Sequence, residues 1–195
     1  MSFLSPRPGC FAGLAICMLA AGTAHGVPKE GFPEPIVLEG SELVLNGTAT
    51  RSVFGVGVYD AGLYVSEASS DGDGIMERDH GPKRLKIIML RPVPEAKFAS
   101  AVRDNLDKNL TAFEQTVFAV DLEAFFKSFE NGTQLDRGSE IALDYLPSEG
   151  TIVMVDGKRQ AVIPGRDFYH ALLRLWIGKP LQSSMKTGLL GAEKP

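Results

Sequence analysis

The sequence predicts an α+β fold, a large antiparallel sheet with a layer of helices on one face. Three observations carry that expectation. Short apolar runs separated by turn residues fill the stretch from Ile36 to Leu90 and return between Ile141 and Ile163. Between them Phe98, Val102, Leu106 and Leu110 recur at every fourth position, which makes one apolar helical stripe. The chain closes on a second stripe, Phe168, Leu172, Leu175 and Trp176. Strands, helices, strands, helices is an α+β order, and a meander of neighbouring strands joins it most simply.

The first 26 residues stand apart. Arg7 is their only charge, Cys10 to Ala21 are mostly apolar and small, and Ala24 and Gly26 are small. A positive start, a short apolar core and a small-x-small site predict a signal peptide cut before Val27. The core falls short of the roughly 20 apolar residues a membrane span needs. The expectation is a periplasmic or secreted protein with one domain over residues 27–195 and no membrane span. Cys10 and Cys17 are the two cysteines and leave with the peptide, so packing alone must hold the rest. The formal net charge of −4 grows slightly more negative without Arg7. A mildly acidic chain argues against nucleic acid and anionic lipid as main partners.

The elements follow in order. Ile36-Val37-Leu38 and Leu43-Val44-Leu45 flank Glu39-Gly40-Ser41, a hairpin pattern. Arg51 to Val65 reads as strand, and its Gly55, Gly57 and Gly62 mark bulges or close backbone approach. Ser69 to Pro82 is polar and Gly/Asp-rich, a loop with room for one helical turn at Ile75–Arg78. Arg84 to Leu90 is nearly continuous in apolar character and predicts a strand buried on both faces. Pro94 suits the first turn of the helix that carries the Phe98 stripe. Thr111-x-x-Glu114 is a capping box for a second helix, with Leu122, Phe125, Phe126 and Phe129 in it or its continuation. Ile141, Leu143 and Tyr145 alternate with polar or small residues as a strand does, and Asp156-Gly157 is a two-residue hairpin turn. Gly178 ends the Phe168 helix, and Pro180 opens another with Leu181, Met185 and Leu189.

Most familiar chemistry is missing from residues 27–195. Their two histidines, His80 and His170, are far apart in sequence and form no zinc motif. Gly55-x-Gly57 has Asp60 where a dinucleotide fingerprint needs glycine, and no phosphate-binding loop or Gly-x-Ser-x-Gly elbow occurs. Asp71-Gly72-Asp73-Gly74 lacks the later acids of a calcium loop and reads as solvated. No metal or cofactor is expected. Arg51 then stands out, at the mouth of a Gly-rich apolar β segment. It reads either as an exposed strand-end arginine or as a guanidinium at the rim of an apolar pocket, able to hold an anionic oxygen.

Three stretches together resemble the chalcone isomerase-like family, in its exported bacterial branch. They are LVLNGTATRSVFGVGVYDAGLYV from Leu43 to Val65, GPKRLKIIML from Gly81 to Leu90, and the region from Asp144 to Gly191 with DYLPSEGTIVMVDG, IPGRDF, LLRLWIGKPL and MKTGLLG. The resemblance implies an open-faced sandwich with an apolar ligand cleft between sheet and helices. It also implies a role for Arg51, since Gly47-Thr48-Ala49-Thr50-Arg51 matches the family's G-x-G-x-R-like segment with Ala49 in the middle glycine's place. In the isomerases that arginine holds a phenolate; in the fatty-acid-binding relatives it holds a carboxylate with help from a tyrosine. Tyr64 matches the last position of the family's VYxxGxY pattern and is the preferred partner. Tyr59 has the matching strand parity with Arg51 and stays a candidate.

The resemblance therefore implies a non-catalytic protein binding a fatty acid or similar apolar anion, with Arg51 on the anionic group. Leu106, Leu110, Phe113, Phe125 and Phe126 are the expected apolar lining. The alternative is a chalcone–flavanone isomerase, an intramolecular lyase in which Arg51 stabilises a phenolate and Tyr59 or Tyr64 polarises the carbonyl. The wholly apolar Val53-Phe54-Gly55-Val56, where plant-type isomerases carry a hydroxyl residue, weighs against it. A second alternative is a structural or partner-binding protein without a ligand, which a filled core and Arg51 paired with an internal acid would support.

Overall fold

The computed structural model describes residues 29–77, 81–130 and 132–191. The expected signal peptide, His80 and Asn131 lie outside these. The strands are β1 (Ile36–Leu38), β2 (Ser41–Val53), β3 (Val56–Val65), β4 (Lys83–Met89), β5 (Val93–Pro94), β6 (Gln134–Leu135), β7 (Glu140–Leu146), β8 (Gly150–Val155) and β9 (Lys158–Ile163). The helices are α1 (Gly72–Glu77), α2 (Glu95–Asn109), α3 (Ala112–Val117), α4 (Ala119–Lys127), α5 (Asp167–Ile177) and α6 (Ser183–Leu189). Seven strands make one antiparallel sheet in the order β1-β2-β3-β4-β7-β8-β9, and β5 pairs with β6 alone. The predicted α+β class holds, and both cores of the sheet lie within residues 29–191.

Three of the sheet's turns are two-residue hairpins with both residues at positive φ: Glu39-Gly40, Phe54-Gly55 and Asp156-Gly157. That turn matches the right-handed twist of the strands it joins. One face of the sheet carries Leu63, Leu85, Ile87, Leu143 and Val153, packed under α2, α4 and α5. Phe125 anchors the helix layer, with ring centroids 5.4 Å from both Phe126 and Phe129 and 6.1 Å from Phe168.

The other face is not bare. Phe32, Leu38, Leu43, Tyr64, Leu146 and Ile152 form a second, smaller core. The stretch before β1 lies across it, and Gly62 leaves the room, since a Cβ there would sit 2.4 Å from the Phe32 ring. Burial of β4 on both faces, expected from its composition, is not what forms. Lys83, Leu85, Ile87 and Met89 are buried, while Arg84, Lys86 and Ile88 between them are half-buried. Arg84 and Lys86 hold the second face through Asp144, at 2.6 Å, and Glu140, at 2.9 Å. An apolar-looking strand thus keeps one charged face by pairing each cation with an acid on the next strand.

The edge of the sheet decides where the site can be. β1 pairs only with residues 41–43 of β2, and α6 packs along the rest of that edge. The contact is backbone on backbone. A Cβ on Gly188 would lie 2.5 Å from the Thr48 carbonyl oxygen, and one on Gly47 would lie 2.2 Å from the Gly188 carbonyl oxygen. Asn46, at a register shift in β2, adds a 2.7 Å bond from Nδ2 to the Leu189 carbonyl.

Two predictions follow from this packing. Glycine to alanine in a helix ordinarily stabilises by roughly 0.5–1 kcal/mol. Gly188→Ala should reverse that sign, because neither clash can be relieved by rotating a side chain. A melting temperature lowered by a loss of about 1–3 kcal/mol is expected, read by circular dichroism. The second concerns Glu114, which closes the predicted capping box with Thr111 and also pairs with Arg174 of α5. The Arg174 hydrogen bond, with those from Thr111, pulls its pKa from 4.5 to about 2. A carboxylate lowered in the folded state stabilises above its ordinary pKa and stops doing so as pH falls from 4.5 towards about 2. Wild type should therefore lose more thermal stability than Glu114→Gln across that window.

Candidate functional site

Arg51 sits near the end of β2, and the hairpin register brings a tyrosine to it. Val53 pairs with Val56 and Ser52 with Gly57, so a regular ladder would set Arg51 against Val58. The register shifts there by one residue, and Arg51 pairs with Tyr59 instead. Directly opposed residues project from the same face. Tyr59 belongs to the helix-facing core, as do Ala61, Leu63 and Val65 beyond it. The bulge thus turns Arg51 and Tyr59 together under the helices.

They meet in a cleft of about 120 Å³ between the turn end of this hairpin, α2, the end of α5 and the start of α6. Val53, Val58, Phe98, Val102, Leu181 and Met185 form much of the apolar wall, Trp176 lines it too, and Arg51, Tyr59, Lys97, Asn105 and Gln182 supply polar groups. Among the described residues no Asp or Glu lines it.

The hydrogen bonds show which groups are committed. Arg51 Nη1 donates to the Ser52 carbonyl and, at 3.0 Å, to Gln182 Oε1. Its Nε and Nη2 have no partner among the described residues, and Arg51 forms no ion pair with them. Gln182 is fully engaged: Oε1 also accepts from the Ser52 N–H at 3.0 Å, and Nε2 donates to the Thr50 carbonyl at 3.2 Å. It therefore works as a clamp that fixes the β2 edge and one nitrogen of the guanidinium. Asn105 is held too, donating one Nδ2 hydrogen to the Leu175 carbonyl at 3.1 Å and accepting from Asn109 at 3.2 Å.

Tyr59 accepts a 3.2 Å hydrogen bond from the Trp176 indole N–H. A phenol has one proton of its own to give, and that proton has no acceptor among the described residues. Burial raises the Tyr59 pKa, against smaller downward pulls from the Trp176 bond and the Arg51 charge. Tyr59 is thus a neutral donor at physiological pH. A fixed cation, a neutral hydroxyl donor and an apolar wall suit the two oxygens of a small anionic group attached to an apolar body.

The other sequence-predicted residues lie elsewhere. Tyr64, the preferred partner, projects from the opposite face into the second core, where its hydroxyl donates to the Pro33 carbonyl at 3.0 Å. Burial pushes its pKa up to about 12. The one-residue shift beside Arg51 is the reason: it aligns Arg51 with Tyr59 and leaves Tyr64 on alternate parity. Leu106, Leu110 and Phe126 line a separate cavity of about 370 Å³ between α2 and the α3–α4 pair. Phe125 is buried in the aromatic core, and Phe113 is 77% exposed. The five expected lining residues therefore miss the Arg51 cleft. The helical stripe was the right signal, but its first half, Phe98 and Val102, faces Arg51 and its second half does not. Gln182 and Met185 had no sequence signal beyond belonging to the closing helix.

The match to known proteins is broad. The profile of a family described as chalcone isomerase-like matches residues 24–191. Among solved structures, a fatty-acid binding protein of Arabidopsis thaliana superposes with a TM-score of 0.63 at 19% identity, covering 82% of this chain and 90% of that one. At that identity the likeness is one of fold. No curated protein matches the sequence. The profile takes in every strand of the sheet, the layer of helices and the Arg51 cleft, and the chain belongs to the chalcone isomerase-like family.

Proposed function

We propose that this protein binds a fatty acid or similar apolar anion without transforming it, with Arg51 and Tyr59 on the anionic oxygens. One observation carries the reading: Arg51 lines an apolar cleft with its Nε and Nη2 uncommitted, and among the described residues no acid lines that cleft. The fold shared with a fatty-acid binding protein supports it. The magnitudes are adequate. Each buried methylene contributes about 0.8 kcal/mol and a hydrogen bond to a charged group about 1.5–3 kcal/mol, against the cost of immobilising the ligand.

The cleft, about 120 Å³, is smaller than the ~300–1,000 Å³ of drug-sized sites. Affinity should rise about fourfold per methylene for short acids and then level off once the space beside Met185 and Leu181 is filled. Trp176 is the only tryptophan and lines the cleft, so its fluorescence reports binding. Arg51→Ala should weaken binding by about 10- to 100-fold and Tyr59→Phe by no more than about tenfold. Equal affinity in Arg51→Ala and wild type removes the arginine from the account.

The ring-closing alternative has weaker support. The remaining amides of the cleft, Asn105 and Gln182, are both held by bonds within the protein, which leaves few groups to orient a bicyclic substrate. A naringenin chalcone assay with a rate above buffer would restore it. The ligand-free alternative would gain from a filled core and an internal acid on Arg51; a cleft of about 120 Å³ stands there instead, and no described residue supplies the acid.

In this reading the working protein is residues 27–195 outside the cytoplasm. Fractionation followed by intact-mass measurement should find a chain beginning at Val27 in the periplasm or medium. A full-length mass in the cytoplasm counts against export.

A further inference from the structure

We infer that the β2–β3 hairpin tip is a membrane-docking element that seats the mouth of the cleft on a bilayer containing anionic lipid. The tip is Val53-Phe54-Gly55-Val56. Phe54 is 100% exposed and Val56 53% exposed, and Val53 beside them is exposed too. Leu181, exposed at 43%, shares the cleft wall with Val53, so the apolar surface runs from the tip to the cleft.

The turn itself argues that Phe54 has no local reason to be there. Its φ is +49°, in the left-handed region where a bulky residue is an outlier and Asn or Asp is favoured. The molecule's two other turns of this geometry place Glu39 and Asp156 at the same position. Asp156 repays its conformation locally by accepting the Glu140 N–H at 2.8 Å. Phe54 has its side chain fully exposed to water. A large apolar side chain at a protruding tip, on a backbone that prefers a small polar residue, is what insertion into an apolar medium requires.

Charge selects the medium. The chain is acidic overall, yet this end is not. Arg51 and Lys97 line the cleft, and among the described residues no acid does. Arg91 follows Leu90, whose N–H donates to the Val58 carbonyl at the base of the hairpin. From Arg51 to Tyr59 no acidic residue occurs. Basic groups around an apolar tip match the surface of a membrane with anionic headgroups. The docking does not depend on what the cleft holds; if the cleft takes a lipid-derived anion, it also shortens that ligand's path through water.

The test is vesicle flotation of residues 27–195 with phosphatidylglycerol–phosphatidylcholine vesicles, against Phe54→Asn. Asparagine suits a positive φ, so the variant should melt no lower than wild type. It should bind vesicles at least about tenfold more weakly while binding free fatty acid as wild type does. The chain beyond Val27 has no cysteine, so Phe54→Cys can carry a single environment-sensitive fluorophore whose emission should shift to the blue on vesicles. Equal flotation of Phe54→Asn, or an unshifted probe, overturns the proposal. So does wild-type protein that ignores vesicles but self-associates through Phe54 in sedimentation, because a second copy then covers the tip. Phe54-dependent flotation with no fatty-acid binding would leave the docking standing and remove the carrier reading alone.

Discussion

The site depends on two backbones touching. Gly47 of β2 and Gly188 of α6 let helix and strand edge approach until neither has space for a Cβ. That approach covers the long edge β1 leaves open, which would otherwise present unpaired peptide groups. It also fixes the start of α6, and with it Gln182, Leu181 and Met185, against the end of β2 where Arg51 lies. A looser contact would move one wall of the cleft and release the Gln182 clamp on the guanidinium. The glycine in the segment that ends at Arg51 therefore acts on the cleft at a distance, through the helix it admits.

Electrostatic economy sets the character of the cleft. Four partly buried cations elsewhere meet acids: Arg84 with Asp144, Lys86 with Glu140, Arg174 with Glu114, Lys29 with Asp60. Arg51 meets amide and carbonyl oxygens only. Neutral acceptors orient a guanidinium without cancelling its charge, so the field into the cleft persists. Tyr59 completes the arrangement, because its hydroxyl is anchored by Trp176 as an acceptor and keeps its proton to donate.

The two faces of the sheet divide the work. Tyr64, Arg84 and Asp144 knit the face away from the helices, while Arg51 and Tyr59 serve the helix side. The hairpin that joins β2 to β3 projects past both, and its exposed apolar tip continues the wall of the cleft. Site and tip are linked by the same short stretch of chain, so one bulge sets both the partner of Arg51 and the direction of the hairpin above it.

Much of the fold was legible in the sequence. Periodicity marked the strands and the helical stripes, Asp156-Gly157 marked its turn, and Thr111-x-x-Glu114 marked its cap, because these signals are local. Arg51 could be singled out at the mouth of a glycine-rich apolar segment, but that pattern also fits an exposed strand-end arginine, and the family resemblance is what gave it a role. Its partner could not. Whether Tyr59 or Tyr64 shares its face turns on one extra residue in a ladder, and a shift of one residue reverses every side chain beyond it. Nor could the sequence tell Phe98 and Val102, which line the cleft, from Leu106 and Leu110 on the same stripe, which do not. Sequence determined what each segment is, through its own hydrophobic rhythm. Only the tertiary structure decided which segments meet, because that rests on register and on the close approach of backbones distant in the chain.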